Sequence, residues 1–97
     1  MQGEFFFSRN EITILRCLES RRRLSKKDPV SEIAEISFRT GIEDHETTLR
    51  SLYTLEGQRL VEPHPPGKFT SNYWKITNSG AEAIKEIEDN EDLINVN

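Results

Sequence analysis

One hairpin signal among helical patterns constrains the fold of this chain more than any other feature. Residues 60–62 and 73–77 are short runs that favour strands, and the intervening residues 64–68 (HPPGK) are typical of a turn. Most of the remaining sequence has apolar residues at helical spacing. The sequence therefore predicts an α+β fold in which a single hairpin accompanies several helices.

The first helix is predicted from its capping residues. Ser8 and Glu11 have the spacing of a capping box, in which each side chain satisfies a free backbone N–H group of the other residue, so the helix should begin at Arg9. It should end in the charged residues 21–23. Apolar residues at helical spacing give its inner face, Ile12, Leu15 and Leu18, with Ile14 at the flank.

A second, short helix is predicted to start at Asp28 and Pro29. Asp can cap a helix, and Pro is tolerated at the first helical position because the N–H group it lacks has no helical partner there. Gly41 is expected to end this helix with a positive φ. The residues expected to share its inner face are Val30, Ile33 and Ala34.

The third helix is predicted over residues 44–57, with Gly57 at its end. The apolar residues expected on its inward stripe are His45, Leu49, Leu52 and Tyr53, with Leu55 at the edge. Trp74 in the hairpin and Cys17 in the first helix are also expected to pack in the core. His64 is expected to be exposed.

A last helix is predicted after the hairpin, capped by Thr77 or Asn78 and followed by an acidic, frayed tail at 89–97. Its apolar residues are Ala81, Ile84 and Ile87. Near the amino terminus, residues 5–7 (FFF) are predicted to form a short strand that adds to the hairpin. The 97 residues are the size of one domain, which we place at 1–97.

Composition excludes several classes of protein. The net charge of −4 comes mainly from residues 78–97, so the rest of the chain is nearly neutral and lacks the overall basic charge of many nucleic-acid binders. One cysteine and two histidines predict neither a disulfide nor a metal site, and we expect no cofactor. No membrane segment or signal peptide is evident, so we expect a cytoplasmic protein. No catalytic motif is found, and an enzyme is not expected.

Two stretches, residues 52–62 (LYTLEGQRLVE) and 73–80 (YWKITNSG), resemble the winged helix-turn-helix superfamily, in particular its PadR-like and MarR-like members. The first stretch is similar to the end of that family's recognition helix and its first wing strand. The second is similar to the returning wing strand and the Thr-x-x-Gly sequence that begins the next helix. The resemblance covers nearly the whole chain. It departs from the family at Arg59, where members often have Gly, and in the longer spacing between Ala34 and Gly41.

The resemblance implies a three-helix core, a hairpin wing, a carboxy-terminal helix and binding to double-stranded DNA. The third helix would enter the major groove, and the wing at 60–77 would lie on the DNA backbone. The helix residues expected at bases and phosphates are Thr47, Thr48, Arg50, Ser51 and Thr54. The residues expected at the tip of the wing are His64, Lys68, Thr70, Ser71 and Asn72.

A basic cluster at the end of the first helix has two interpretations. It would add phosphate contacts, or it would only complement the helix dipole and keep the surface charged. The cluster consists of Arg21, Arg22, Arg23, Lys26 and Lys27.

The leading hypothesis is a sequence-specific transcription regulator that acts as a homodimer, pairing through the last helix or through residues 5–7. Against it, Glu43, Asp44 and Glu46 crowd the start of the third helix, where phosphate would otherwise bind. The first alternative is a winged-helix module whose acidic third helix and tail bind a basic protein. A second is an accessory regulator that binds DNA only alongside a larger factor.

Overall fold

The computed structural model describes residues 7–25, 27 and 29–94. In this part of the chain the elements are α1 (Arg9–Leu24), β1 (Ser31–Glu32), α2 (Ile33–Thr40), α3 (His45–Gly57), β2 (Val61–Pro63), β3 (Tyr73–Ile76) and α4 (Asn78–Ile94). The three strands form one antiparallel sheet in the order β1-β3-β2. The α+β class is confirmed, and the layout is compatible with a winged helix. None of the described helices is long and apolar enough to cross a membrane.

Helix α1 begins at Arg9 because its capping box forms as predicted. The Ser8 hydroxyl accepts the backbone N–H of Glu11 at 3.2 Å, and the Glu11 carboxylate accepts the N–H of Ser8 at 3.0 Å. Phe7 and Ile12 pack against the edge of the core. Leu15 and Leu18 of the predicted inner face are fully buried, and so is Ile14, which was predicted at its flank.

The predicted start of the second helix at Pro29 is wrong. Asp28 lies outside the described residues, and neither Pro29 nor Val30 is helical. Ser31 and Glu32 instead form β1, which pairs with β3, and α2 begins only at Ile33. Pairing with a neighbouring strand satisfies backbone groups that a local cap would otherwise serve.

Two further expectations concern the ends of these elements. Gly41 closes α2 as predicted, with φ +79° and its N–H donating to the carbonyl of Ser37 at 3.0 Å. The predicted strand at residues 5–7 is not found at Phe7, which precedes the cap of α1, and residues 5 and 6 lie outside the described part. Strand β1 holds the sheet position that was assigned to this segment.

Helix α3 is confirmed within one residue of its predicted bounds, with Asp44 as its cap. Its inward face differs from the prediction, because His45 is exposed and Tyr53 is 42% exposed. Thr48 and Ser51 are buried instead, beside Leu52 and Leu55. The helix is therefore rotated about its axis relative to the stripe that hydropathy alone predicted.

A paired hydroxyl explains this rotation of α3. The hydroxyl of Thr48 lies 2.7 Å from that of Ser37 on α2, and both residues are buried. Each hydroxyl gives the other a hydrogen-bond partner, which removes most of the cost of taking it out of water. Thr48, which the sequence pattern placed on the surface, therefore lies in the α2–α3 contact.

The turn after α3 is tied to the start of α4. Arg59 has φ +65°, the left-handed conformation for which Gly is usual, at the position where the family often has Gly. Its carbonyl accepts the hydroxyl of Thr77 at 2.7 Å, and the Leu60 carbonyl accepts the Thr77 N–H at 3.0 Å. The same Thr77 hydroxyl accepts the N–H of Gly80 at 3.0 Å, so Thr77 is the cap of α4.

The hairpin and α4 complete the core. Strands β2 and β3 pair with Val61 opposite Ile76 and Pro63 opposite Trp74, and Trp74 is fully buried as predicted. Helix α4 extends to Ile94, past residue 89, where the acidic tail was predicted to begin, and residues 95–97 lie outside the described part. The buried apolar core is Ile14, Leu15, Leu18, Ile33, Ile36, Leu52, Leu55, Leu60, Val61, Trp74, Ile76, Ala83 and Ile84.

We expect Gly80→Ala to destabilise the domain by about 1–3 kcal/mol, since a methyl group there would overlap the Leu60 carbonyl and lie 2.6 Å from Cγ1 of Ile76. Gly57→Ala is the matched control. Gly57 is also helical but faces open space, so this change should be neutral or stabilise by up to about 1 kcal/mol. Urea unfolding of both variants measures the difference, and equal effects would show that the contact of Gly80 with Leu60 and Ile76 is not tight.

Candidate nucleic-acid interface

The surface available to a ligand on α3 is its outer face, formed by Glu46, Arg50, Tyr53 and Thr54, all of which are exposed. Tyr53 connects this face to the wing loop, residues 64–72. Its hydroxyl donates to the backbone carbonyl of Phe69 at 2.9 Å, and its ring meets the buried Trp74 edge-on at 5.9 Å. The outer face and the wing loop therefore form one continuous surface.

The predicted α3 contacts divide into exposed and buried residues. Arg50 and Thr54 lie on the outer face, where the Thr54 hydroxyl donates to the Arg50 carbonyl at 3.1 Å. Thr47 is half-buried and donates to the Asp44 carboxylate at 2.9 Å, so its hydroxyl stabilises the helix cap. Thr48 and Ser51 face the core and are withdrawn from the set of contact residues.

In the wing loop, Lys68, Thr70 and Asn72 are exposed and remain candidates for phosphate contact. Ser71 is buried and has a structural role: its hydroxyl donates to the His64 carbonyl at 2.7 Å and accepts the Tyr73 N–H at 2.9 Å. His64 is half-buried, where exposure was expected. The loop thus presents one cation, on Lys68, beside two neutral polar side chains.

The arginines at the end of α1 are paired with carboxylates. Arg22 binds Glu19 through two hydrogen bonds of 2.7 and 2.9 Å, and Arg23 binds the same carboxylate at 3.0 Å. Arg21 binds Glu35 of α2 at 3.1 Å. The hydrogen bond from Arg22 lowers the pKa of Glu19, so this carboxylate stays ionised. Much of the positive charge predicted for DNA is therefore neutralised within the fold.

Two lysines complete the predicted basic cluster. Lys27 is exposed, and Lys26 lies outside the described residues. The two glutamates that neutralise the arginines were not identified from the sequence. Glu19 precedes Arg22 and Arg23 by three and four residues, a spacing that places them side by side on a helix and could have revealed the pairing. The Arg21–Glu35 pair joins two helices and has no such local signal.

The start of α3 is acidic in the structure, as it is in the sequence. Glu43, Asp44 and Glu46 are all exposed. The pKa of Asp44 is lowered, first by the hydrogen bond from the Thr47 hydroxyl and then by the backbone N–H of Glu46. This carboxylate therefore remains charged at neutral pH and occupies the helix terminus that would otherwise attract a phosphate.

Other chemistry has little support among the described residues. They contain no group of three His, Cys, Asp or Glu side chains that could hold a metal ion. Cys17 is half-buried, and burial raises the pKa of its thiol despite the nearby positive charge of Arg39. A raised pKa keeps the thiol protonated and weakens it as a nucleophile.

Comparison with protein-family models, with curated proteins and with solved structures gives no significant match for this chain. The resemblance to winged-helix regulators thus depends on the two sequence stretches and on the element order.

Glu19→Gln should lower the free energy of unfolding by about 1 kcal/mol at pH 7, because two arginines lose a charged acceptor. The pKa of Glu19 is lowered from its ordinary value of 4.5, so its contribution is complete above pH 4.5 and is lost as the pH falls through the lowered pKa. The variant should therefore approach the wild type at pH 3.

Urea unfolding at pH 7 and pH 3 tests this pH dependence, with Glu82→Gln on an exposed turn of α4 as the charge-matched control. A constant difference between wild type and Glu19→Gln at both pH values would contradict an electrostatic role for Glu19.

Proposed function

We propose that this chain is a winged-helix domain that binds double-stranded DNA as a transcription regulator. The order of three helices, a hairpin and a fourth helix supports this proposal, as does the short strand that joins the hairpin in one sheet. The two stretches that resemble the family also contact each other, through Thr77 with Arg59 and Gly80 with Leu60. A fold shared with regulators does not identify a target, so the site itself must carry the functional argument.

The observation that carries the proposal is the hydrogen bond between Tyr53 and Phe69. It holds the wing loop against the outer face of α3, so Arg50 and Thr54 can reach a groove while Lys68 reaches the adjacent backbone. An arginine can bind guanine through two hydrogen bonds, and a hydroxyl can serve either a base or a phosphate. We therefore assign base contact to Arg50 and Thr54, and phosphate contact to Lys68, Thr70 and Asn72.

The acidic amino end of α3 affects how the domain would approach DNA. Glu43, Asp44 and Glu46 repel phosphates, so the carboxy-terminal half of the outer face, and not the start of the helix, has to lie closest to the duplex. Each domain then brings few unpaired positive charges to the DNA, so binding by one domain should be weak. This supports the proposed homodimer, in which two domains bind successive half-sites.

The buried residues restrict where such a dimer can form. Ile84 of α4 belongs to the core, while Ile87 is only partly buried. A dimer formed through α4 would therefore use Ile87 and not Ile84.

Fluorescence anisotropy with a labelled random duplex at 50 and 200 mM salt tests the proposal. We expect affinity to fall with salt, with a slope that decreases by about one in Lys68→Ala. On this random duplex Arg50→Ala should weaken binding by about fivefold or more, because it removes one of the few exposed positive charges of the surface while leaving the core intact. Circular dichroism confirms that each variant is folded.

Lys85→Ala is the matched control, since this exposed lysine of α4 lines a hollow with Glu19, Arg22 and Arg23 of α1 and belongs to neither α3 nor the wing loop. Equal losses in Lys85→Ala and Arg50→Ala would indicate non-specific attraction and would contradict the assigned surface. The absence of duplex binding at 50 mM salt would overturn the DNA proposal.

A further inference from the structure

An apolar groove lies between α2 and α3 and meets the outer face of α3 at Glu46. Two adjoining hollows of about 400 and 390 Å³ share Ala34 and His45 and together form this groove. Its apolar residues come from both helices and the turn between them: Ile33, Ala34, Phe38, Ile42 and Leu49. We call it the α2–α3 groove.

Phe38 is the most exposed of the large apolar side chains described, at 87%. It lies on a helix whose opposite face supplies Ile33 and Ile36 to the core, so folding does not require a large apolar side chain at this position. An exposed aromatic ring beside a concave apolar surface is a feature of interaction sites. The groove therefore has the shape and the apolar area to receive a side chain of another molecule.

The charges around the groove are all of one sign. Glu32, Glu43 and Glu46 line it and are exposed, and the described lining includes neither Lys nor Arg. Arg39 follows Phe38 in the chain, but its guanidinium binds Glu35 at 3.1 Å. An occupant would meet a negative field, which excludes a nucleic acid and favours positive charge beside its apolar side chains.

We propose that the α2–α3 groove binds a basic amphipathic segment of a partner protein, with bulky apolar side chains against Phe38 and flanking lysines or arginines against the three glutamates. Helix-in-groove recognition combines these two features. The chain's own residues 1–6 do not meet this description, because they include Glu4 and neither Lys nor Arg. The inference does not rest on DNA binding, since Arg50 and Lys68 do not line the groove, and the two surfaces share only Glu46 of the outer face and Asn72 of the wing loop.

The test uses the full 97-residue chain and a labelled 18-residue amphipathic peptide of Leu and Lys, with a Leu and Glu peptide of the same pattern as the probe control. We expect the Leu/Lys peptide to bind in a salt-sensitive way and the Leu/Glu peptide to bind at least tenfold more weakly. Phe38→Ser should weaken Leu/Lys binding by about tenfold, as expected for losing a buried aromatic contact. Glu43→Gln should weaken it by a few-fold.

Leu24→Ser is the matched control, since Leu24 is 82% exposed and does not line the groove. It should bind the Leu/Lys peptide like the wild type, and both serine variants should keep the wild-type melting temperature. Wild-type affinity in Phe38→Ser, or equal binding of the two peptides, would overturn the proposal. Self-association that rises with protein concentration and is lost in both Phe38→Ser and Leu24→Ser would also overturn it. The groove would then be occupied by exposed apolar residues of a second copy of this chain.

Discussion

The rest of the structure depends on the turn at Arg59 and Leu60. Carbonyl groups of these two residues accept hydrogen bonds from Thr77, and Gly80 approaches Leu60 too closely to carry a side chain. One set of contacts therefore ends α3, begins β2, caps α4 and fixes the direction in which the hairpin leaves the helix. Because the wing loop lies at the far end of that hairpin, the position of Lys68 relative to α3 is set at this turn.

The elements that sequence reasoning predicted well are those with local signals. The capping box at Ser8, the positive φ at Gly41 and the cap at Thr77 each act within four residues, so they can be identified without knowing the fold. Strand β1 has no such signal. Its two residues are a strand only because Trp74 and Tyr73 lie beside them, and a helix start at Pro29 satisfied every local rule.

The candidate site was predicted less well than the fold, for two physical reasons. Hydropathy places Thr and Ser on the surface, whereas Thr48 is buried against Ser37 through a hydroxyl pair that only the packing of α2 on α3 creates. A count of charges treats every arginine as free to bind phosphate. Arg21, Arg22 and Arg23 are instead paired with Glu19 and Glu35. Arg50 is exposed, as a contact residue has to be, because a charged side chain on the outer face needs no tertiary contact, and its contact with DNA stays a prediction.

Helix α3 separates two surfaces of different character. On one side the Tyr53 hydroxyl donates to Phe69 of the wing loop, and on the other Leu49 and His45 line the acidic groove against α2. Glu46 is exposed on the outer face and also lines the groove, so a positively charged segment bound there would partly neutralise a carboxylate of the proposed DNA surface. Binding in the groove should then strengthen attraction of the outer face for phosphate, and the two ligands would be coupled through one charge. An acidic helix start is therefore compatible with DNA binding in a domain whose second partner is basic.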